Sequence, residues 1–285
     1  MKDGNIAILM ATYNGEPFIR QQIDSILQQT CRHWHLYIHD DGSTDGTIDI
    51  IKSYSAKYAD KITLLDYPQQ GGAYENFISM MARVDSRYFM FSDQDDVWHR
   101  DKIGKSWLAM QKLEKEHTDR PLIVHSDLRV VNSNGEILSP SFWNAAGMYP
   151  KMFRTFEHRI SNIVTGCTML FNDNAKAAAL DRIPDGSPLH DEWVTICSCA
   201  KGGIVYSIDE PLIDYRQHDN NVLGAANCYN SKTLKHKLKT IGKTYQANKA
   251  NYRILRSAGY GSKRTYIKNK IRNLFVYHLK YAHQQ

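Results

Sequence analysis

Four short strand-like stretches separated by three segments of helical spacing fill residues 6–91, and that order constrains the fold more than any other feature. Ile6–Met10, Trp34–His39, Ile62–Asp66 and Tyr88–Phe91 read as strands. Between them, Pro17–Gln29 sets Phe18, Ile23, Ile26 and Leu27 on one helical face. Thr47–Tyr58 turns Ile48, Ile51 and Tyr54 inward, and Tyr74–Arg83 supplies a third helix. A β-α-β-α-β-α-β order predicts right-handed crossovers and an α/β fold with a mostly parallel central sheet and helices on both faces. Ligands of such sheets bind outside the carboxyl ends of the strands. Three polar clusters fall there: Thr12-Tyr13-Asn14, Asp40-Asp41-Gly42-Ser43, and Asp93 to Asp96. Their shared position argues for one site rather than three unrelated turns.

The third cluster, in FMFSDQDDVW, places Asp93, Asp95 and Asp96 within four positions at a strand end. Like charges so close repel unless a cation sits among them, and a hard divalent ion takes such oxygen ligands. The competing reading is a surface acidic turn capping a helix that starts near Trp98. DDGSTDGTID has some features of a calcium loop, but the twelfth position from Asp41 is Lys52 and an apolar strand precedes the run. What remains is a strand-to-helix turn. One Asp projects from the strand end, Ser43 or Thr44 starts the next helix, and the carboxylate can accept the imide N–H of uracil or thymine. Helix capping by Asp45 or Ser43 is compatible with that role.

A chain of 285 residues, 42% hydrophobic and 23% charged, suits one large globular α/β domain, or one domain with an appendage. The apolar run near the N-terminus is too short for a secretory signal or a membrane span, so a cytosolic protein is expected. Five cysteines without metal-like pairing read as reduced thiols. The net charge of +6 conceals an asymmetry: residues 220–285 hold 14 Lys and Arg and no acidic residue. The rest therefore carries 36 − 14 = 22 basic against 30 acidic residues. An acidic body with a basic tail suits an anionic partner surface.

The second half is less regular. Leu122–His125 and Met169–Phe171 read as strands, Glu192–Ala200 as a helix, and Tyr206 opens an extended stretch ending in YRQHDNN. Beyond Asn230 the spacing of Leu234, Leu238, Ile241 and Tyr245, then of Ile267, Ile271, Leu274 and Leu279, predicts two helices broken at Gly259–Ser262. The expected division is a domain over residues 1–225 and a basic helical extension over 226–285.

ILMATYNGEPFIRQQIDSILQQT, HDDGSTDGT and SDQDDVW together resemble family 2 glycosyltransferases with the GT-A fold, over residues 5–220. With LHDEW and YRQHDNN added, the pattern is most similar to bacterial rhamnosyltransferases of surface polysaccharide synthesis. The resemblance implies that Asp41 binds a pyrimidine base, with Thr12 and Asn14 lining the nucleotide pocket. It implies that Asp93 and Asp95 form a D-x-D element, Asp95 holding Mg²⁺ or Mn²⁺ and Asp93 lying nearer the ribose or the metal shell. Asp96 is left as site wall or helix cap. In PLHDEWVTICSCA, Asp191 stands where the family has its catalytic base. Taken alone it reads as a helix N-cap, with Glu192 the second candidate base and Trp193 a flat wall for a sugar ring. His218 would complete the metal shell or donate to the diphosphate, and Arg216 would hold a phosphate through its planar fork. Asn76, after the turn QQGG, is either a nucleotide-sugar contact or a helix-surface residue. Gly166 either leaves room for the acceptor or permits a tight turn.

The implied reaction is an inverting, metal-dependent transfer of a sugar, L-rhamnose from dTDP-rhamnose first and hexose from a UDP-sugar second. The implied acceptor is a lipid-linked oligosaccharide of O-antigen or capsule type. For the tail, apolar positions at helical spacing among Lys and Arg predict a helix lying on the inner-membrane surface, on the cytoplasmic side. No nucleic-acid motif accompanies the charge, and nucleic acid is not an expected partner. The non-enzymatic alternative is a sugar-nucleotide-binding protein without turnover, which has no use for Asp191. Nucleotidyl transfer shares the sheet and metal, but MATYNGEPF lacks its glycine-rich basic loop.

Overall fold

The structure, a computed structural model, describes residues 5–148, 150, 162–186, 188–218 and 241–281. Its centre is β1 (Ile6–Thr12), flanked in parallel by β2 (Trp34–Asp40) and β4 (Tyr88–Ser92), with β3 (Ile62–Leu64) outside β2. Beyond β4 the sheet continues through β8 (Leu170–Asn172), β6 (Leu122–Val131), β9 (Ile204–Arg216) and β5 (Val97–Trp98), while β7 (Ile137–Ser139) pairs with β6. β8 runs antiparallel to both its neighbours, so β6 and its parallel partner β9 point the same way as β1 and β4. The carboxyl ends of β1, β2, β4 and β9 therefore share one edge. This places the residues after Arg216 beside those after Thr12, Asp40 and Ser92.

Side-chain alternation along β1 splits the core into two layers. Ile6, Ile8 and Met10 face α1 (Ile19–Leu27), α2 (Thr47–Lys57) and α4 (Lys102–Glu116), through Ile19, Ile23, Ile51, Ile103 and Met110. Ala7 and Leu9 face α3 (Ala73–Arg83), α6 (Asp173–Leu180) and α7 (His190–Ala200), through Phe77, Met80, Ala178 and Trp193. The chain crosses from one layer to the other between β3 and β4, leaving the crevice of a strand-order switch beside β1. The short α5 (Phe142–Ala146) packs on β6, with Asp127 accepting the Ser141 hydroxyl and the Trp143 amide. Residues 241–281 form α8 (Ile241–Ser257) and α9 (Lys263–Tyr281), and Ile254, Leu255, Ala258, Tyr260 and Tyr266 join the second core layer.

Several boundaries differ from the sequence reading. No helix starts near Trp98; Val97 and Trp98 pair with β9, and α4 begins at Lys102. α2 begins at Thr47 rather than Ser43 or Thr44, and it buries Ile50 together with Ile51, with Ile48 only partly covered. The third expected strand is shorter, ending at Leu64. The positions of Leu234 and Leu238, and the boundary expected at 225/226, lie outside the described residues. Cys31, Cys167, Cys197 and Cys199 are free thiols, and Cys228 also lies outside the described residues. No helix among the described residues is long and apolar enough to cross a membrane.

Candidate active site

The loop from β4 to β5 is fixed from three directions. Ser92 closes β4 fully buried and accepts a hydrogen bond from Gln22 Nε2 on α1 at 2.7 Å. Gln94 grips the end of β1: its Oε1 accepts the Tyr13 amide and its Nε2 donates to the Tyr13 carbonyl, both at 2.9 Å. Asp96 turns inward with no exposed surface, and its Oδ1 accepts the Arg216 amide at 3.2 Å. The loop is thereby tied to the end of β9, which delivers His218. His218 Nε2 lies 2.7 Å from Asp95 Oδ2, and the ring stacks on Phe18 at 4.8 Å.

Crowding of carboxylates leaves a clear electrostatic mark. Desolvation, then the charges of Asp95 and Asp191, push Asp93 up to about 7. Desolvation, then Asp95 and Asp93, hold Asp96 well above the usual carboxylate range. Asp96 Oδ2 is buried without a hydrogen-bond partner among the described residues. Such a cluster is costly as it stands and becomes favourable around a bound cation. Among the described residues, the three ligand-type atoms that lie within 4.8 Å of one another belong to Asp93, Asp96 and Cys167, not to Asp93, Asp95 and His218. A hard Mg²⁺ or Mn²⁺ has no preference for the Cys167 thiol, whose pKa burial raises well above normal. Asp96 is committed to β9. The partly exposed Asp93 and Asp95, with His218 against Asp95, are thus the donors that fit a divalent ion at the mouth.

Lys102, with no exposed surface, lies beneath the cluster, its Nζ 4.0 Å from the Trp98 ring centre. Burial lowers its pKa to about 7, although the charges of Cys167 and Asp96 favour the ammonium. Two expectations change here. Asp96 caps no helix and lies on no surface; it is an internal anchor. Arg216 does not offer a fork to a phosphate. It is buried, and it donates to Asp95 O (2.8 Å), Ser133 O (2.7 Å) and Gln21 Oε1 (2.6 Å), which fixes the acidic loop instead.

After β2, Asp40 organises the turn. Its Oδ1 accepts the amides of Gly42 and Ser43, and its Oδ2 accepts the hydroxyls of Ser43 (2.6 Å) and Thr12 (2.8 Å). Thr12 is consequently buried, and it holds the wall of the expected pocket rather than facing into it. Asn14, at φ 48°, stays exposed and bridges to the turn, accepting the Thr44 amide at 2.8 Å. Asp41 points the other way. Its two oxygens accept the amides of Gln70, Gly71 and Gly72 at 2.5–3.2 Å, so the QQGG loop folds over it. Gly42 meets that loop at φ 91°, where any Cβ would strike the Gln69 side chain. Asn76 is neither a surface residue nor open to a ligand: it is buried, and its Oδ1 lies 2.8 Å from His39 Nδ1.

Across the cleft, α7 starts at His190 and carries Asp191 in its first turn, where the helix dipole favours an anion. Asp191 is not the N-cap; that position belongs to Leu189. Its carboxylate accepts the Gly166 amide at 2.8 Å and the Glu192 amide at 2.6 Å. Desolvation outweighs these bonds and pushes the carboxyl up to about 6. Gly166 is needed on steric grounds: a Cβ there would lie 2.6 Å from His190 Nε2. His190 cannot yield, since it stacks on Phe77 at 4.0 Å and meets Phe91 edge-on at 4.7 Å. Trp193 forms no sugar wall. It is buried in the second core layer, its indole N–H donating to Ala179 O.

Asp93, Asp95, His218 and Asp191 thus lie near one another, while Asp41 and Asn14 belong to the neighbouring strand-end turn. Sequence reasoning missed Gln21, Gln22, Gln94, Lys102 and Cys167. Only α1 offered a signal, since Gln22, Ser25 and Gln29 recur at helical spacing and are all buried.

Residues 7–177 match the model of the family described as "Glycosyl transferase family 2". The chain is 30% identical over 238 residues to dTDP-rhamnosyl transferase RfbG of Shigella flexneri, covering 78% of this chain and 76% of that protein. S. aureus TarS 1-349 in complex with UDP superposes with a TM-score of 0.55 at 16% identity, over 86% of this chain and 78% of that one. Mannosyltransferase PcManGT from Pyrobaculum calidifontis, in complex with GDP-Man and Mn²⁺, gives a TM-score of 0.53 at 16% identity, over 96% and 82%. The fold is that of the GT-A glycosyltransferases.

Proposed function

The chain belongs to glycosyl transferase family 2, and we propose that it is an inverting, metal-dependent enzyme moving L-rhamnose from dTDP-rhamnose to a lipid-linked oligosaccharide. The observation that carries the chemistry is Asp191, a buried carboxylate at about 6 whose charge reaches Asp93 across the cleft. A general base works best when its pKa lies near the working pH. Asp191 takes the proton from the acceptor hydroxyl as that oxygen attacks the anomeric carbon from the face opposite the nucleoside diphosphate. The bond to the diphosphate breaks, and a single displacement inverts the configuration. Asp41 accepts the imide N–H of the base in place of a QQGG amide. Asn14 lines the nucleotide end, and Asp93, Asp95 and His218 hold the ion. Mg²⁺ or Mn²⁺ bound there neutralises the diphosphate and offsets charge on the leaving group.

The rhamnosyl donor is supported by the printed activity of the Shigella relative. The imide N–H that Asp41 would accept is common to thymine and uracil, so a UDP-hexose is the second reading. The basic tail supports a peripheral position on the inner face of the membrane. On α9, Arg264, Lys268 and Arg272 form one exposed stripe, and Ile267 and Ile271, 48% and 49% exposed, form the next. The test is incubation with lipid-linked saccharide acceptors and dTDP-rhamnose, UDP-glucose, UDP-N-acetylglucosamine or GDP-mannose in turn. A deoxyhexose mass increment from dTDP-rhamnose alone supports the proposal. Transfer from a UDP-sugar selects the second reading, and transfer from none refutes both.

A further inference from the structure

We propose that the α8–α9 pair is a positioning element for the candidate base, clamping the segment whose far end presents Asp191. The proposal rests on Asp191 being that base. The segment from Asp181 to Leu189 joins α6 to α7, and it would be free to sway if it ran over the surface alone. Instead α8 holds it at successive points. Ser257 O accepts Arg182 Nη1 at 3.3 Å, and Ser257 Oγ accepts the Asp185 amide at 3.1 Å. Arg253 makes a two-pronged contact with Asp185 at 3.1 and 2.6 Å. That pair is more than half exposed and stabilises little by itself. Its geometry still fixes register, and buried packing does the rest.

A Cβ built at Gly186 would lie 3.3 Å from the Ile254 side chain, and one at Gly259 would lie 3.0 Å from Arg182. Each backbone thus lies directly against a side chain of the other segment. The contact extends to the residue beside the base. Tyr266, buried on α9, shares the second core layer with Trp193 and Ile196 of α7. The Glu192 carboxylate acts on its hydroxyl, after burial and Tyr260, in raising its pKa. Tyr266 is in turn held by Asn248 of α8 and Lys270 of α9. Asp191 is thus held by the Gly166 amide, and the next residue, Glu192, faces the helical pair. The helix that carries the basic stripe on its outer face turns its inner face to the residue beside the base.

The test uses the full chain with Tyr266→Ala, Tyr266→Phe and Ser257→Ala. Hydrogen–deuterium exchange is followed in peptides covering 164–168 and 189–194, with β1 as control. Tyr266→Ala and Ser257→Ala should raise exchange at the Gly166 and Glu192 amides about tenfold without changing β1. Binding of dTDP or UDP with Mn²⁺ should stay unchanged while kcat falls, and Tyr266→Phe should keep protection. Unchanged exchange at both peptides, or an equal rise in β1, overturns the proposal. Loosened peptides with normal kcat would leave the clamp standing and remove Asp191 as the base.

Discussion

Asp191→Asn should cut turnover sharply and, at neutral pH, remove a folding cost that the wild type carries. Asp191 titrates near 6 when folded, against 3.8 for the unperturbed group. Its folded pKa is raised, so the native state binds the proton more tightly than the unfolded chain. The stabilising contribution is present below 3.8 and is lost as pH rises through 6. The gap between those pKa values corresponds to about 3 kcal/mol. The asparagine variant lacks that dependence. Its amide can accept only one of the two N–H groups well, costing roughly 1–1.5 kcal/mol at every pH. The useful quantity is therefore the change in ΔΔG with pH rather than its value at one pH. Urea unfolding of both proteins from pH 3.5 to 7.5 should show the variant gaining about 3 kcal/mol relative to wild type. Turnover should fall by about a hundred- to ten-thousand-fold, and wild-type kcat/KM should decline below pH 6. A ΔΔG that does not vary with pH would show that Asp191 is not strained by burial. A near-normal rate would move the base elsewhere, Glu192 first.

Arg216→Met keeps the stem and removes the donors to Asp95 O, Ser133 O and Gln21 Oε1; unfolding should show a loss of about 3 kcal/mol, and an unaltered midpoint would refute the anchoring role. Gly166→Ala forces a methyl against His190 and should cost about 1–3 kcal/mol along with most activity, measured by thermal unfolding and rate. His218→Ala should weaken Mn²⁺ binding at least about tenfold by calorimetry. Ile267→Glu with Ile271→Glu should release the protein from phosphatidylglycerol vesicles in co-sedimentation. Retention on the vesicles would exclude α9 as the contact.

The first half of the fold was legible because β1 and β4 are buried on both faces and read as continuous apolar runs, while β2 alternates, with amphipathic helices between them. The rest of the sheet was harder. β5 has two residues and exists only through its pairing with β9. β9 runs across Pro211, where register shifts against β6 absorb the missing N–H. Strand-end spacing brought Asp93 and Asp95 together, and the family resemblance added Asp191, whose charge reaches Asp93. Neither could assign Arg216 or Asn76, because a side chain's partner depends on distant segments. Arg216 meets Gln21 across 195 positions of sequence. Lys102 is invisible for a related reason: nothing local distinguishes a buried lysine from a solvated one at the start of a helix.

The most direct measurement of the shared strand-end site is calorimetric binding of dTDP and UDP, with and without Mn²⁺, to the wild type and to Asp95→Asn. Binding that requires Mn²⁺ in the wild type and disappears in the variant is the expected result. Equal binding with and without the ion, or binding that Asp95→Asn leaves intact, would contradict a metal-held diphosphate at the ends of β1, β2 and β4.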